Sequence, residues 1–357
     1  NLAVADDPAF STGEFVKIGE LRLTVRLWPL LWKEFRLKRL TVVKPVITVI
    51  RDEQGNYNFG SFAATTAKKP ESKEQSGERR AERQEAPSRG APDRGAIPAL
   101  IALAKIVDGE IRYVEHERDL DLTIKRLDLT VKANGTNDTF AVDLAAALLA
   151  DQQNCKISGK LGPIGAGELA DLPFQARIDI APLDIARLRK NLSSFLKLPQ
   201  GLEIGGTLRL ADADVAGSAN AFVVKATVDG TESRIDFQDR FHKPPAVPLK
   251  FTFDGRVAEG IVELRKTVMR LRDLELTNKG TLQARKAGAI DLVLDSNQFD
   301  LSGWDAMFPA LNDFALTGKG RTQARIRAKL KNLTAAEIDM SLTLPDFKMA
   351  LPQLKKS

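Results

Sequence analysis

The chain is poor in the residues that usually carry covalent or metal chemistry. Its 357 residues include one cysteine, Cys155, and two histidines, His116 and His242. A single cysteine excludes an internal disulfide, which fits a bacterial or intracellular protein better than a disulfide-stapled secreted one. Neither histidine stands in a metal-ligand spacing such as His-Glu-x-x-His, so we predict no metal site and no cofactor.

Catalytic motifs are missing as well. There is no Gly-x-Ser-x-Gly elbow, no phosphate-binding Gly-x-x-x-x-Gly-Lys-Ser/Thr loop and no Gly-x-Gly-x-x-Gly. Carboxylates two residues apart, such as Asp119 and Asp121, arise by default on the polar side of an alternating strand. We therefore predict a protein that is not an enzyme; an enzyme would need a perturbed carboxylate pair in a cleft.

Long hydrophobic runs are also missing. No stretch approaches the roughly 20 apolar residues that a membrane-spanning helix needs. The sequence starts at Asn1 without a signal-peptide pattern, from which we expect a fragment or processed form whose targeting segment lies upstream.

Positive and negative charges are nearly balanced. Lys and Arg exceed Asp and Glu by 53 to 47, but the two signs are interleaved along the chain, which favours a solvated face over a nucleic-acid patch.

One segment differs in composition from the rest. Between Phe62 and Ile97 there is no Val, Ile, Leu, Met or aromatic residue. Such a segment buries too little apolar surface to offset its ordering entropy, so residues 61–97 are predicted to be a disordered polar insertion. It divides an N-terminal strand region, 1–60, from a body of repeated β-hairpins, 98–357. A loop inserted between neighbouring strands has the same composition.

Polar and apolar residues alternate along most of the remaining chain. Between residues 321 and 331, Arg and Lys dominate one side of an extended strand, and Ala, Ile and Leu dominate the other. A change of phase at Lys125 and Arg126 predicts a β-bulge. The dipeptides Asn134-Gly135, Asp229-Gly230, Asp254-Gly255 and Lys279-Gly280 predict hairpin turns, which favour antiparallel neighbours. Helical periodicity covers only 183–196, 302–311 and, more weakly, 99–107.

These patterns predict a mainly β protein. Because large, twisted open sheets curl or split, we expect a large curled antiparallel sheet that forms an elongated open groove, with two or three short helices. The apolar residues that we expect to line this groove for a lipid are Leu122, Ile124, Leu127, Leu129, Val142, Leu144, Leu292, Leu294, Ile326, Leu330, Leu342 and Leu344. Packing in a closed core stays open as an alternative for each of them.

Several segments are similar to AsmA-family proteins. Residues 18–31 and 35–58 give a strand, a Pro-Leu-Leu turn, a strand, a Lys-Pro break, a strand and a final Gly-x-x-Asn. Residues 107–113 and 120–131 resemble the next hairpin units of that family, and 299–311 with 316–320 its late helix-to-strand element. The order of these segments is more specific than any one of them, and together they span most of the chain outside the insertion.

The resemblance implies a periplasmic protein of Gram-negative bacteria that serves outer-membrane biogenesis. It also implies an inner-membrane anchor upstream of this chain and an outer-membrane or envelope protein as partner. Combined with the predicted groove, it leads us to expect a non-enzymatic protein that holds or conducts phospholipid acyl chains. The alternative is a scaffold that assists assembly of outer-membrane proteins by pairing with their strands at its own sheet edges.

Overall fold

A single sheet of 21 strands dominates the computed structural model of this chain. The structure describes residues 2–25, 37–60, 103–133, 139–163, 171–192, 198–283, 288–329 and 332–350. The first strands, on both sides of the predicted insertion, are β1 (Leu2–Ala5), β2 (Glu14–Ile18), β3 (Glu20–Val25), β4 (Leu37–Val43), β5 (Val46–Arg51), β6 (Leu103–Glu115), β7 (Leu120–Ala133), β8 (Phe140–Leu148) and β9 (Cys155–Leu161).

The later strands continue the same sheet. They are β10 (Phe174–Asp184), β11 (Leu202–Gly217), β12 (Ala221–Asp229), β13 (Ser233–Phe237), β14 (Phe241–Lys243), β15 (Leu249–Ala258), β16 (Ile261–Leu271), β17 (Leu274–Gln283), β18 (Ala289–Ser296), β19 (Phe299–Asp300), β21 (Lys319–Lys329) and β22 (Asn332–Thr343). A separate pair joins β20 (Ala315–Thr317) to β23 (Lys348–Ala350).

Chain order and spatial order nearly coincide. From β6 to β12 and from β15 to β18 each strand pairs antiparallel with the next, then β18 pairs with β21 and β21 with β22. The β13–β14 hairpin branches from the first half of β11, so β12 pairs directly with β15. The prediction of a large open β-sheet is confirmed, and the sheet does not close into a barrel.

The sheet is mixed rather than wholly antiparallel. β4 and β5 form one interrupted strand whose two parts both run parallel to β6, with Lys44 and Pro45 at the break. A parallel pairing needs a long crossover, and residues 52–102 supply that length. The N-terminal strands therefore belong to the same sheet as the body of the chain. The predicted insertion, 61–97, lies outside the described residues.

Three neighbouring strands bulge at the same level. Lys44, Asp108 and Arg126 each have a φ of 51° and lie at or beside the breaks and register shifts around β4, β6 and β7. The predicted bulge at Lys125 and Arg126 is thus confirmed. Because each bulge adds one residue, the apolar side chains before and after it stay on the same face.

The described chain contains one α-helix, α1 (Ile185–Asn191). It lies inside the predicted helix 183–196, and the Asp184 side chain caps it by accepting a hydrogen bond from the Arg187 amide at 2.9 Å. The predicted helix 302–311 is instead a series of turns ending in a 3-10 turn, Pro309–Leu311. The weaker prediction at 99–107 is wrong from Leu103 onward, where β6 pairs with two neighbouring strands.

Of the four predicted hairpin turns, Asn134-Gly135 lies outside the described residues, Asp229-Gly230 lies at the turn that follows β12, and the other two are wrong. Asp254-Gly255 lies inside β15, and Lys279-Gly280 lies inside β17. Gly255 stands at a register shift against β16, and Gly280 has a φ of 153°. A Cβ on Gly280 would come within 2.0 Å of the Asp291 carbonyl oxygen, so close packing of adjacent backbones accounts for the glycine there.

Candidate functional site

One file of uncharged residues crosses fifteen strands of the sheet. Directly opposed residues of adjacent strands share a face, so the strand register defines this file without reference to side-chain contacts. We call it the central row; its members, in spatial order, are Leu23, Leu40, Ala104, Val131, Val142, Gly159, Ala176, Val215, Val224, Gly255, Leu264, Gly280, Leu292, Ile326 and Ile338.

Apolar rows flank the central row on both sides. The outer row crosses eleven strands through Ala133, Phe140, Leu161, Phe174, Gly217, Phe222, Val257, Val262, Leu282, Ile290 and Ala328. The inner row includes Leu129, Leu144, Ile157 and Ile178 in one half and Phe253, Thr267, Asn278, Leu294 and Ala324 in the other. Together the three rows form a largely apolar floor, which we call the trough.

No second layer covers this floor in the described part of the chain. Most trough residues between the two end strands are half-buried, neither sealed nor fully exposed. Among the buried apolar residues of the described chain, Leu249, Leu271, Trp304 and Met307 form one small cluster with partly buried neighbours that include Phe241 and Phe308, whereas others, such as Leu127 and Ala146, lie elsewhere in the sheet. A closed sandwich would instead bury the facing side chains of most strands. The trough is therefore an accessible apolar surface.

One long margin of the trough is capped. The Trp304 cluster packs where β15 begins and β16 ends, and α1 follows directly on the end of β10. Beside α1, the buried Asn154 side chain donates to the carbonyl oxygens of Leu148 and Pro182 and accepts from the Leu148 amide. We call this side the capped margin; on the opposite margin, the connections that the structure describes in full are the short ones from β11 to β12 and from β15 to β16.

A polar cluster closes the capped margin near the N-terminus. The fully buried Asn58 side chain donates to Asp6 at 2.9 Å and accepts from the Ile50 amide at 3.0 Å. Glu115, only 3% exposed, accepts from Arg51 at 2.6 Å and from Arg118 at 3.1 Å. These buried polar groups have partners, which indicates a role in holding strand ends together.

The opposite face of the sheet is charged. Cross-strand ion pairs join Arg177 to Asp214 at 3.0 Å, Lys250 to Asp229 at 3.1 Å and Arg325 to Asp291 at 2.8 Å. The Arg325 guanidinium lowers the pKa of Asp291, chiefly through a hydrogen bond. Such exposed pairs contribute little stability individually, but they keep this face in water and so leave the trough as the apolar side.

The structure brings many of the predicted lining residues onto one face. Val142, Leu292 and Ile326 lie in the central row, and Leu129, Leu144 and Leu294 lie in the inner row. Leu122 and Ile124 lie nearer the capped margin on β7, where they face Tyr113 and Ile111 of β6. Leu342 faces Thr322 on the last strand, Leu344 follows that strand, and Leu330 lies outside the described residues.

Leu127 differs from the other predicted lining residues. Its side chain is only 3% exposed and lies opposite Gly109 in the middle of β7, so it is buried instead of presenting a surface. Sequence reasoning missed the aromatic members of the outer row, Phe140, Phe174 and Phe222, although each keeps the two-residue alternation of its strand. It also missed the glycines of the central row, because glycine carries no hydrophobic signal.

Two polar atoms in the inner row have no hydrogen-bond partner. Thr267 and Asn278 are directly opposed on β16 and β17, and Thr267 Oγ1 and Asn278 Oδ1 are both buried and unpaired. Ser296, also on the apolar side, differs: its hydroxyl donates to the Asn297 carbonyl and accepts from the Thr322 amide, each at 2.8 Å. The Thr267–Asn278 pair is thus an energetically unfavourable spot in the floor.

The residues with catalytic potential do not converge on the trough. Cys155 is buried, and burial raises the pKa of its thiol. His242 contacts Asp236 on the β13–β14 hairpin, and Glu115 is held by two arginines. Within the described ranges no group of three or more His, Cys, Asp or Glu side chains is placed to hold a metal ion.

Two further findings bear on membrane contact and ancestry. No helix among the described residues has the length and hydrophobicity to span a bilayer. Comparisons with protein families, with curated proteins and with solved structures find no match to this chain.

Proposed function

We propose that this chain is a non-enzymatic, AsmA-like periplasmic protein that holds or conducts phospholipid acyl chains along the trough, in support of outer-membrane biogenesis. The single observation that carries the proposal is the central row, an uncharged row that crosses fifteen strands and that no other described segment covers. With about 4.8 Å between strands, this row extends about 67 Å.

The free energy of moving a lipid acyl chain out of water favours binding to such a surface. Removing each methylene from water gains about 0.8 kcal/mol, so a chain of about a dozen carbons gains on the order of 10 kcal/mol in the trough. Every strand that the central row crosses contributes an uncharged residue to it, from Gly and Ala to Val, Leu and Ile, so a bound chain meets no charged side chain along the row. A lipid therefore meets a low barrier between neighbouring positions, as a conduit requires.

The AsmA resemblance supports the same proposal through the physical roles of its motif residues. The Lys-Pro break at 44–45 separates β4 from β5, and Gly55, with a φ of 87°, turns the chain so that Asn58 closes the strand ends. The proposed location is the periplasm, with an inner-membrane anchor upstream of this chain. The proposed partners are phospholipid and an outer-membrane or envelope protein.

A scaffold for outer-membrane protein assembly is the second candidate. The observation that favours it is β22, whose outer side has no neighbouring strand in the described part of the sheet. Pairing at one edge, however, does not require an apolar floor fifteen strands long. The lipid proposal accounts for that floor and is therefore preferred.

Native mass spectrometry of the gently purified chain tests the proposal. We expect bound diacyl lipid at a defined stoichiometry, and we expect lipid to return when delipidated protein is mixed with phospholipid vesicles. Bound polypeptide without lipid would favour the scaffold. Absence of lipid both before and after exposure to vesicles would overturn the proposed function.

A further inference from the structure

The last strand of the sheet exposes more apolar surface than the strands before it. Met340 is 69% exposed and Ile338 is 58% exposed, the two highest values among the large apolar residues of the described chain. β22 pairs with β21 on one side, and no described strand lies on its other side. Within the described residues its outer backbone amides and carbonyls therefore have no strand to pair with.

On the charged face of the sheet, the edge strand β22 carries acidic side chains. Asp291 on β18 is opposite Arg327 on β21, and Arg327 is opposite Glu337 on β22. Beside this file, Arg325 on β21 is opposite Asp339 on β22. Charge thus alternates from acidic to basic to acidic across the last three strands, so a basic strand would continue the pattern.

The acidic edge is also incompletely neutralised. Arg325 makes two hydrogen bonds to Asp291, at 2.8 and 3.0 Å. Arg327 reaches Glu337 at 3.5 Å and Asp339 at 3.8 Å, and those two side chains remain 67% and 71% exposed. Two carboxylates therefore share one distant guanidinium, which leaves negative charge to attract a cationic strand.

From this edge we infer a second binding site: β22 accepts a β-strand of a partner polypeptide that carries Lys or Arg opposite Glu337 and Asp339 and aliphatic residues opposite Ile338 and Met340. The bound strand prolongs both the charged face and the trough floor. Because it depends on edge pairing and charge, this site does not depend on the proposed lipid function.

Other occupants fit the same edge less well. The N-terminal edge of a second copy lacks the required basic side, since Arg22 of β3 pairs with its own neighbour Glu20 at 2.6 Å and β1 carries no charge. An anionic membrane surface would be repelled by Glu337 and Asp339 and would leave the edge amides unpaired. A basic strand with alternating apolar residues fits the unpaired backbone, the exposed apolar side chains and the acidic side chains of the edge.

Labelled synthetic peptides provide the test. The probes are acetyl-Lys-Val-Lys-Val-Lys-Val-Lys-amide, its Glu-for-Lys counterpart and a Lys/Val peptide of the same composition without alternation, titrated by fluorescence anisotropy at low salt. We expect the alternating Lys peptide to bind at least about tenfold more tightly than the Glu peptide. Hydrogen exchange in 332–343 should slow when it binds.

Charge reversal identifies the site. The double variant Glu337→Lys with Asp339→Lys should prefer the Glu peptide, whereas Glu203→Lys with Glu263→Lys, which changes net charge equally on inner strands, should keep the original preference. If the reversed variant does not fold, Glu337→Gln with Asp339→Asn should lose the preference. Binding of neither alternating peptide, binding of all three alike, or protection elsewhere in the chain would overturn the inference.

Discussion

A carboxylate placed in the central row should block the trough without unfolding the sheet. Leu292 is the position of choice because it is half-buried, lies on the inner strand β18 and is flanked in register by Gly280 and Ile326. A chain crossing the sheet presents about four methylenes to each strand, which is about 3 kcal/mol of contact per strand.

An aspartate at residue 292 keeps its hydration only if the acyl chain gives up contact with that strand and part of its neighbours. We therefore expect Leu292→Asp to weaken lipid binding by about 3–6 kcal/mol, or on the order of 10²- to 10⁴-fold. Because the side chain does not sit in a sealed core, the cost to folding should be only about 1–2 kcal/mol.

Val293→Asp is the matched control. Val293 is the next residue of the same strand but lies on the charged face, 40% exposed and opposite Lys279 and Arg325. Titration of a fluorescent phospholipid into delipidated protein measures binding, and urea unfolding followed by far-ultraviolet circular dichroism measures the fold. Unfolding by Leu292→Asp would indicate closed packing, and equal loss of lipid in both variants would refute the assignment of the face.

Three further predictions concern stability. Thr267→Val combined with Asn278→Leu removes the unpaired buried atoms, so the free energy of unfolding in urea titrations should stay equal or rise by up to about 2 kcal/mol. The control Ser296→Ala breaks satisfied hydrogen bonds and should lower the free energy of unfolding by about 1 kcal/mol. Met307→Ala should cost about 2–5 kcal/mol by the same measurement, because the side chain is 2% exposed in the capped margin; a smaller cost would show that this cluster does not hold the sheet. The pKa of Asp291 is lower in the folded than in the unfolded chain, so its stabilising contribution is complete above the unfolded pKa of about 4 and is lost as the pH falls from there through the folded pKa. Asp291→Asn should therefore reduce the fall of the melting temperature with pH below about pH 4. An unchanged dependence of the melting temperature on pH would contradict the assignment.

Local alternation predicted the kind of sheet well because one face of each strand meets water and the other does not. The bulge at Lys125 and Arg126 was visible for the same reason, as a change of phase. Turn dipeptides failed at Gly255 and Gly280 because close backbone approach inside a strand selects glycine as strongly as a hairpin does. Local sequence does not separate these two causes.

Long-range features were not accessible from the sequence. The parallel pairing of β4 and β5 with β6 joins strands that residues 52–102 separate in the sequence. A strand alternates polar and apolar residues in the same way whether its neighbour runs parallel or antiparallel, so alternation does not predict this pairing. The helix predicted at 302–311 carries an apolar stripe, but Gly303, with a φ of 77°, and Pro309 limit it to turns around Trp304. The capped margin itself forms from segments far apart in the chain, so no local pattern predicts it.

The trough gives stability and the proposed function a common physical origin. Its side chains are half-buried, so the folded chain keeps apolar surface in contact with water that a sandwich would cover. What fixes the register is the contrast between the two faces, since a slip by one residue would place Arg325 and Arg327 among the aliphatic side chains of β18 and β22. Under the proposed function, an acyl chain would cover this apolar surface only in the folded state, so bound lipid would stabilise the sheet by mass action. The apolar surface that this fold leaves in contact with water is therefore the surface on which the proposed lipid binding depends.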